Sequence, residues 1–183
     1  MSFMSILSFM SLKLIINTDG GARGNPGPAG IGAVIADNDG KIIGRHKQYI
    51  GEATNNVAEY KALILALQEA RKISEKPSPP CTSRLTPVQG KLIPLSSAFA
   101  EATADKGGEG NSVINLEIRM DSELIVRQMN GQYKIKEPTL KLLAAEVLKL
   151  RNQFKNVTFH HVPREQNKEA DKLVNEAIDA AVG

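Results

Sequence analysis

The chain is 183 residues long and 42% hydrophobic, which suits one domain with its own core, expected to span residues 1 to 183. A formal charge of +3 is too small to argue by itself for a polyanionic partner, and the single cysteine, Cys81, excludes an internal disulfide and any cysteine pair on a metal, leaving oxygen or histidine ligands. No window of roughly 18 apolar residues occurs, and "MSFMSILSFM" lacks the basic start and small-residue cleavage site of a secretory signal, so a cytoplasmic protein without membrane contact is expected.

In chain order, "LKLIINTD" at 12 to 19 is an apolar, β-branched run of strand length that gives way to the Gly- and Pro-rich "GGARGNPGPAG". Next, "AGIGAVIAD" and "KIIGRHKQYI" read as two strands joined by a turn at Asn38, Asp39 and Gly40, which makes the first three strands an antiparallel meander. The period then changes. "TNNVAEYKALILALQEARKIS" carries Val57, Tyr60, Leu63, Ile64, Leu67 and Ala70 at helical spacing, with Thr54, Asn55 and Asn56 as candidate N-caps.

From Glu75 to Ser112 the pattern breaks. Five of the nine prolines fall between Pro77 and Pro94, small and glycine-rich text follows, and 75–112 is expected to be a flexible insertion with little core of its own, around a short helical possibility at 95 to 104. "SVINLEIRMD" is then a strand ending on Asp121, "SELIVRQMNG" a short helix stopped by Gly131, and Pro138 opens the helix "PTLKLLAAEVLKLRNQF". "NVTFHHV" gives a fifth strand. "NKEADKLVNEAIDAAV" is a closing helix with Leu173, Val174, Ala177, Ile178 and Ala181 on one side. Strands separated by helices pair in parallel, so the fold class is α/β with a mixed sheet. Between residues 127 and 168 nine Lys and Arg stand against three Glu, a charge asymmetry that fits either a phosphate-facing surface or a set of solvated helix faces.

Four carboxylates are candidates for chemistry. Asp19 ends the first strand, Glu59 lies in the first turn of the first helix, Asp121 ends the fourth strand, and Asp171 lies in the first turn of the last helix. If strands one and four are parallel neighbours, Asp19 and Asp121 emerge together at the carboxyl end of the sheet, where open α/β sheets place their sites. Adjacent carboxylates repel unless a cation lies between them, and a hard divalent ion such as Mg²⁺ takes oxygen ligands while leaving positions for phosphate and water. Structural readings stand beside these. Asn56 to Glu59 fits a capping box, Asp121 fits an N-cap, and Asp171 suits the positive end of its helix. Asp19 has no following helix to serve, and an acid at the end of a buried strand is costly without a partner. The glycine loop fits neither a Walker loop nor a dinucleotide fingerprint, because another strand follows it. Its glycines allow close backbone approach to a ligand, and Asn25 offers both a donor and an acceptor to a sugar edge.

Taken together, "TDGGARGNPGPAGIGAV", "TNNVAEYKALILAL", "DSELIVRQMNGQY" and "HVPREQNKEADKLVNEA" resemble ribonuclease H of type 1, in order and over nearly the whole chain outside the insertion. The resemblance implies a ribonuclease H-like fold, a five-stranded mixed sheet with strands 1–3 antiparallel and strands 1, 4 and 5 parallel, flanked by helices. It implies a two-metal endonuclease that cuts the RNA strand of RNA/DNA hybrids and leaves 5′-phosphate and 3′-hydroxyl ends. Two Mg²⁺ ions, replaceable by Mn²⁺, would be held by Asp19, Glu59, Asp121 and Asp171, with Asp19 bridging, Asp171 on the ion that activates water, and Glu59 and Asp121 on the ion at the leaving oxygen. His161, ten residues before Asp171, matches the family's mobile histidine, suited to moving a proton or aiding product release. Gly24 and Asn25 would read the 2′-hydroxyls of the RNA strand, and Thr54, Asn55 and Asn56 would touch the DNA strand.

Three departures qualify the resemblance. Glu123 stands where family members often carry glutamine, the passage from Gly131 through "QYKIKEP" leaves no room for an extra basic helix, and only about ten residues precede the first strand, so no separate N-terminal hybrid-binding module is expected. A monomer with no obligate protein partner is expected. The competing readings are a non-cleaving nucleic-acid-binding domain of the same fold, and a nuclease of that fold acting on double-stranded RNA or DNA junctions.

Overall fold

The computed structural model describes residues 13–75 and 112–183. The elements are β1 (Lys13–Ala22), β2 (Gly27–Ala36), β3 (Ile42–Ala53), α1 (Asn55–Glu75), β4 (Ser112–Met120), α2 (Glu123–Met129), α3 (Pro138–Arg151), β5 (Phe154–His161), a 3-10 turn at Arg164–Gln166 and α4 (Lys168–Val182). Of the segment read as an insertion, only Glu75, closing α1, and Ser112, opening β4, belong to these elements; the remainder lies outside the described residues.

The sheet has the order β3-β2-β1-β4-β5. β1 pairs antiparallel with β2, β2 antiparallel with β3, and β4 runs parallel to both β1 and β5. This is the mixed sheet the sequence implies. Alternation in the strands sends Leu14, Ile16, Ile35 and Ile118 to one face, where they bury against Tyr60, Leu63 and Leu67 of α1, Ile125 of α2 and Val147 of α3. The buried Tyr60 hydroxyl is not stranded, because it donates to Gln128 Oε1 at 2.9 Å.

α4 covers the opposite face, burying Ala170, Leu173, Val174, Ala177 and Ile178. Glycine decides how closely it sits. A Cβ at Gly32 would lie 2.6 Å from the Ala170 carbonyl oxygen, and one at Gly30 would lie 2.7 Å from that of Val174, so the helix backbone rests directly on β2. Exposed ion pairs from Lys47 to Glu176 at 2.6 Å and from Arg45 to Glu169 at 3.6 Å join α4 to β3 but contribute little beside this packing. Gly20 plays the same part on the other face, where a Cβ would lie 2.3 Å from the Ala58 carbonyl carbon of α1.

Several local expectations are corrected. β1 does not end at Asp19 but runs on to Ala22, because it stays paired with β2 as far as Ala22 opposite Ala29. The capping box from Asn56 to Glu59 does not form. Thr54 Oγ1 accepts from the Val57 N–H at 3.4 Å instead, which starts α1 earlier and puts Glu59 beyond its first turn. Ser122, not Asp121, is the N-cap residue of α2. Ala181 is exposed, past Ile178, the last buried residue of α4. Among the described residues no helix is long and apolar enough to cross a membrane.

Candidate active site

β1 and β4 pair only as far as Asn17 and Arg119. Beyond that point β1 continues beside β2 alone while β4 stops at Met120, and the fork between them carries Asp19 on one prong and Asp121 on the other. The close approach at Gly20 brings α1, and with it Glu59, to the same place. One carboxylate oxygen from each of Asp19, Glu59 and Asp121 lies within 4.8 Å of the other two. A cavity of about 350 Å³ opens over them, lined also by Asp171, Arg23, Asn55, Arg164 and Asn175. This opening beyond the last parallel pair leaves these acids accessible to a ligand although Asp19 is only 7% exposed and Glu59 9%.

Burial, with the added repulsion of Asp121 and Asp171, pushes the Asp19 carboxyl up to about 7, against the Gly20 N–H that bonds it and the charge of Arg164. Burial and then the charges of Asp19 and Asp121 hold Glu59 well above the usual carboxylate range. Glu59 Oε2 is buried with no hydrogen-bond partner among the described residues. A buried acceptor left bare, facing two further carboxylates, is a donor set that a hard divalent cation satisfies, so these residues fit the metal the sequence implies.

The fourth acid is placed differently. Asp171 lines the cavity, but its Oδ1 accepts from Arg164 Nη2 at 2.5 Å and its Oδ2 from Asn175 Nδ2 at 3.3 Å, and it is not among the three clustered acids. The guanidinium offsets its charge where α4 begins. His161 ends β5 in register with Met120, next to Asp121 in sequence; it is exposed and does not line the cavity.

Of the residues expected to touch nucleic acid, Asn55 lines the cavity, and Gly24 and Asn25 lie in the loop joined to it. Asn25 Oδ1 accepts from the Asn55 N–H at 3.2 Å, and Asn55 Oδ1 accepts from the Ala22 N–H at 2.8 Å, which stitches the β1–β2 loop to the start of α1. Gly24, at φ +112°, takes the left-handed backbone that lets this loop close. Among the described residues the Nδ2 groups of Asn25 and Asn55 have no acceptor, while Thr54 is committed to its cap and Asn56 is half-buried. Glu123 pairs with Arg127 at 2.5 Å on α2. Sequence reasoning missed Arg164 and Asn175, which bond Asp171 from seven and four residues away, and Asn167, whose role depends on contacts across the fold; the one available signal was their clustering with Asp171 in "REQNKEADKLVN".

The raised acid values give a pH dependence with a definite sign. Between about pH 4 and 7 the folded chain holds a proton on Asp19 that the unfolded chain releases, so its contribution to metal-free stability falls as pH rises through that window, and Glu59, raised in the same direction, acts with the same sign. A divalent ion must displace those protons. The rise in unfolding temperature produced by a fixed Mg²⁺ concentration should therefore be small at pH 5 and grow as pH rises through about 7, as thermal melts in chelator and in Mg²⁺ would show. A gain independent of pH would mean that Asp19 is not titrated by the metal.

Residues 17–78 and 110–177 match the family described as reverse transcriptase-like. The chain is 37% identical over 171 residues to the bifunctional protein Rv2228c of Mycobacterium tuberculosis, an alignment that takes in 93% of this chain and 36% of that protein, so it spans about a third of the length of that relative. It is 35% identical over 163 residues to ribonuclease HI of Halobacterium salinarum, covering 89% of this chain and 63% of the relative. Among solved structures, LC11-RNase H1, isolated from compost, superposes in its complex with an RNA/DNA hybrid at a TM-score of 0.70, with 46% identity over 93% of this chain and 99% of the other.

Proposed function

The chain belongs to the reverse transcriptase-like family, among the type 1 ribonucleases H, and from that premise we propose that it is a metal-dependent endonuclease that hydrolyses the RNA strand of RNA/DNA hybrids to 5′-phosphate and 3′-hydroxyl ends. The observation that carries this reading is the gathering of Asp19, Glu59 and Asp121, with Asp171 on the same cavity, at the fork between β1 and β4. The hybrid bound to LC11-RNase H1 supports the substrate class. Residues 1–183 act as one catalytic domain and as a monomer, with 75–112 as an insertion; the family match on either side of 79–109 supports the insertion.

Asp19, Glu59 and Asp121 would hold one Mg²⁺ or Mn²⁺ ion, and Asp19 with Asp171, once Arg164 lets go, a second. When bound, such ions supply the Lewis-acid charge that an in-line phosphoryl displacement needs. The chain supplies position. The Gly24 to Gly27 backbone and Asn25 Nδ2 would read a ribose edge, and Thr54, Asn55 and Asn56 at the start of α1 would touch a phosphate of the DNA strand, Asn55 through its Nδ2 because its backbone N–H already donates to Asn25 Oδ1. His161 moves a proton near the site or assists product departure. On this basis His161→Ala is expected to slow steady-state turnover by roughly 10- to 100-fold with a smaller effect in a single turnover, since the acids still assemble. No slowing in either regime would return His161 to an ordinary surface role.

The function is tested by purified protein with Mg²⁺ on matched RNA/DNA, RNA/RNA, DNA/DNA and single-stranded RNA. Cuts confined to the RNA of the hybrid are expected. Binding without cleavage would make this a recognition domain, and cleavage of RNA/RNA in preference to the hybrid would reassign the substrate.

A further inference from the structure

Asn167 precedes α4 and is 1% exposed, a polar side chain buried beside the site with every polar atom engaged. Its Nδ2 donates to the Thr18 carbonyl at 2.9 Å and to Asp121 Oδ1 at 3.0 Å, and its Oδ1 accepts from Asn17 Nδ2 at 3.2 Å. Its own carbonyl accepts the Asp171 N–H at 3.1 Å. A single residue thus touches the neighbour of Asp19, the carboxylate of Asp121 and the backbone of Asp171. It does so where β1 and β4 have ceased to pair, so ladder hydrogen bonds no longer fix the separation of the two prongs.

We propose that Asn167 is a positioning residue for the metal-binding acids: its carboxamide spans the fork, sets the distance between β1 and the Asp121 carboxylate, and turns Asp121 so that Oδ2 is left for the cation. The chemistry requires a carboxamide. Two donors must point to two acceptors on different strands while an acceptor points the other way, and only Asn or Gln carries that set. Gln places it one methylene further out, which moves the donors off the Thr18 carbonyl and Asp121 Oδ1 that Asn167 meets at 2.9 and 3.0 Å. Asp would set an acceptor against both the Thr18 carbonyl and Asp121.

The inference rests on the reading of Asp121 as a metal ligand, and the test separates the two. Mg²⁺ titrations followed by calorimetry and by thermal stabilisation, together with hybrid-cleavage kinetics, are made on wild type, Asn167→Ala, Asp121→Asn and the double variant. Asn167→Ala is expected to weaken Mg²⁺ binding by roughly 10- to 100-fold and to lower kcat with little change in KM, the usual scale for loss of a group that orients a ligand. In the Asp121→Asn background the same change should weaken Mg²⁺ binding by no more than about 2-fold, because the carboxylate it orients is gone. A lower unfolding temperature with unaltered Mg²⁺ affinity, or an equal loss of affinity in both backgrounds, would reduce Asn167 to a structural tie and overturn the proposal alone. Unaltered Mg²⁺ affinity in Asp121→Asn itself would overturn the ligand reading and this inference with it. Should Asn167→Ala fail to fold, Asn17→Ala removes the donor that holds the carboxamide oxygen, and with it the bond from the same Nδ2 to the Gln166 carbonyl at 3.2 Å. It should weaken Mg²⁺ binding several-fold in the same direction, and an unchanged affinity there counts against the proposal.

Discussion

Asp19→Asn is expected to abolish hybrid cleavage while raising the unfolding temperature of the metal-free protein at neutral pH. Asp19 is the acid on which the others converge. Its oxygen lies with those of Glu59 and Asp121, and burial plus the charges of Asp121 and Asp171 lift its carboxyl to about 7. Asparagine keeps an acceptor for the Gly20 N–H but removes the charge, so a divalent ion loses a shared ligand and the rate should fall on the order of 10⁴-fold or more. The stability change has the opposite sign. A carboxylate whose folded value is raised opposes folding above its unfolded value near 4, so its removal stabilises at pH 7 and above, by something on the order of 1–3 kcal/mol, and the gain disappears below about pH 4. Cleavage assays and melts across pH 4 to 8 read both effects. Activity near the wild-type level would remove Asp19 from the mechanism, and a lower unfolding temperature at pH 7 would contradict the electrostatic account.

The second large effect is expected from a residue with no chemistry of its own. Gly20→Ala places a Cβ 2.3 Å from the Ala58 carbonyl carbon and 2.4 Å from both the Ala58 oxygen and the Glu59 nitrogen. All three are backbone atoms in the start of α1 and cannot turn aside as a side chain tip would. β1 and α1 must separate, at a cost of about 3 kcal/mol or more, and the separation parts Asp19, the preceding residue, from Glu59, the one it would touch. Both the unfolding temperature and Mg²⁺ binding should fall. Gly21→Ala is the control: its Cβ meets only Val174 Cγ1, at 3.3 Å, which a rotation of that side chain relieves, so the loss should stay within about 1 kcal/mol. Equal tolerance at both positions would mean that α1 is not held against β1 by backbone contact.

The difference between these two glycines marks the limit of what can be read from the chain by itself. Residue period alone determined the elements: the β-branched run before Asp19, the helical spacing of Val57, Tyr60, Leu63, Ile64 and Leu67, and Gly131 and Pro138 as a stop and a start are local features. The four motifs gave the family, the mixed sheet and the acids at 19, 59, 121 and 171 as candidates. Local signals failed where a hydrogen bond or ladder from elsewhere took over. β1 outran Asp19 because β2 continued to pair with it, whereas at α1 the choice stayed local: Thr54, one of the candidate caps, took the Val57 N–H, and Glu59 fell beyond the first turn. The site's finer arrangement was beyond the sequence altogether. Asn167 bonding Thr18 across a separation of 149 residues and Asp121 across 46, and the fork that follows the Asn17–Arg119 pair, depend on sheet order and on how closely glycine lets α1 and α4 approach. Residue types set which contacts a segment can make with its near neighbours. Which distant side chains then meet within hydrogen-bonding reach is fixed only when the two helical layers close on the sheet.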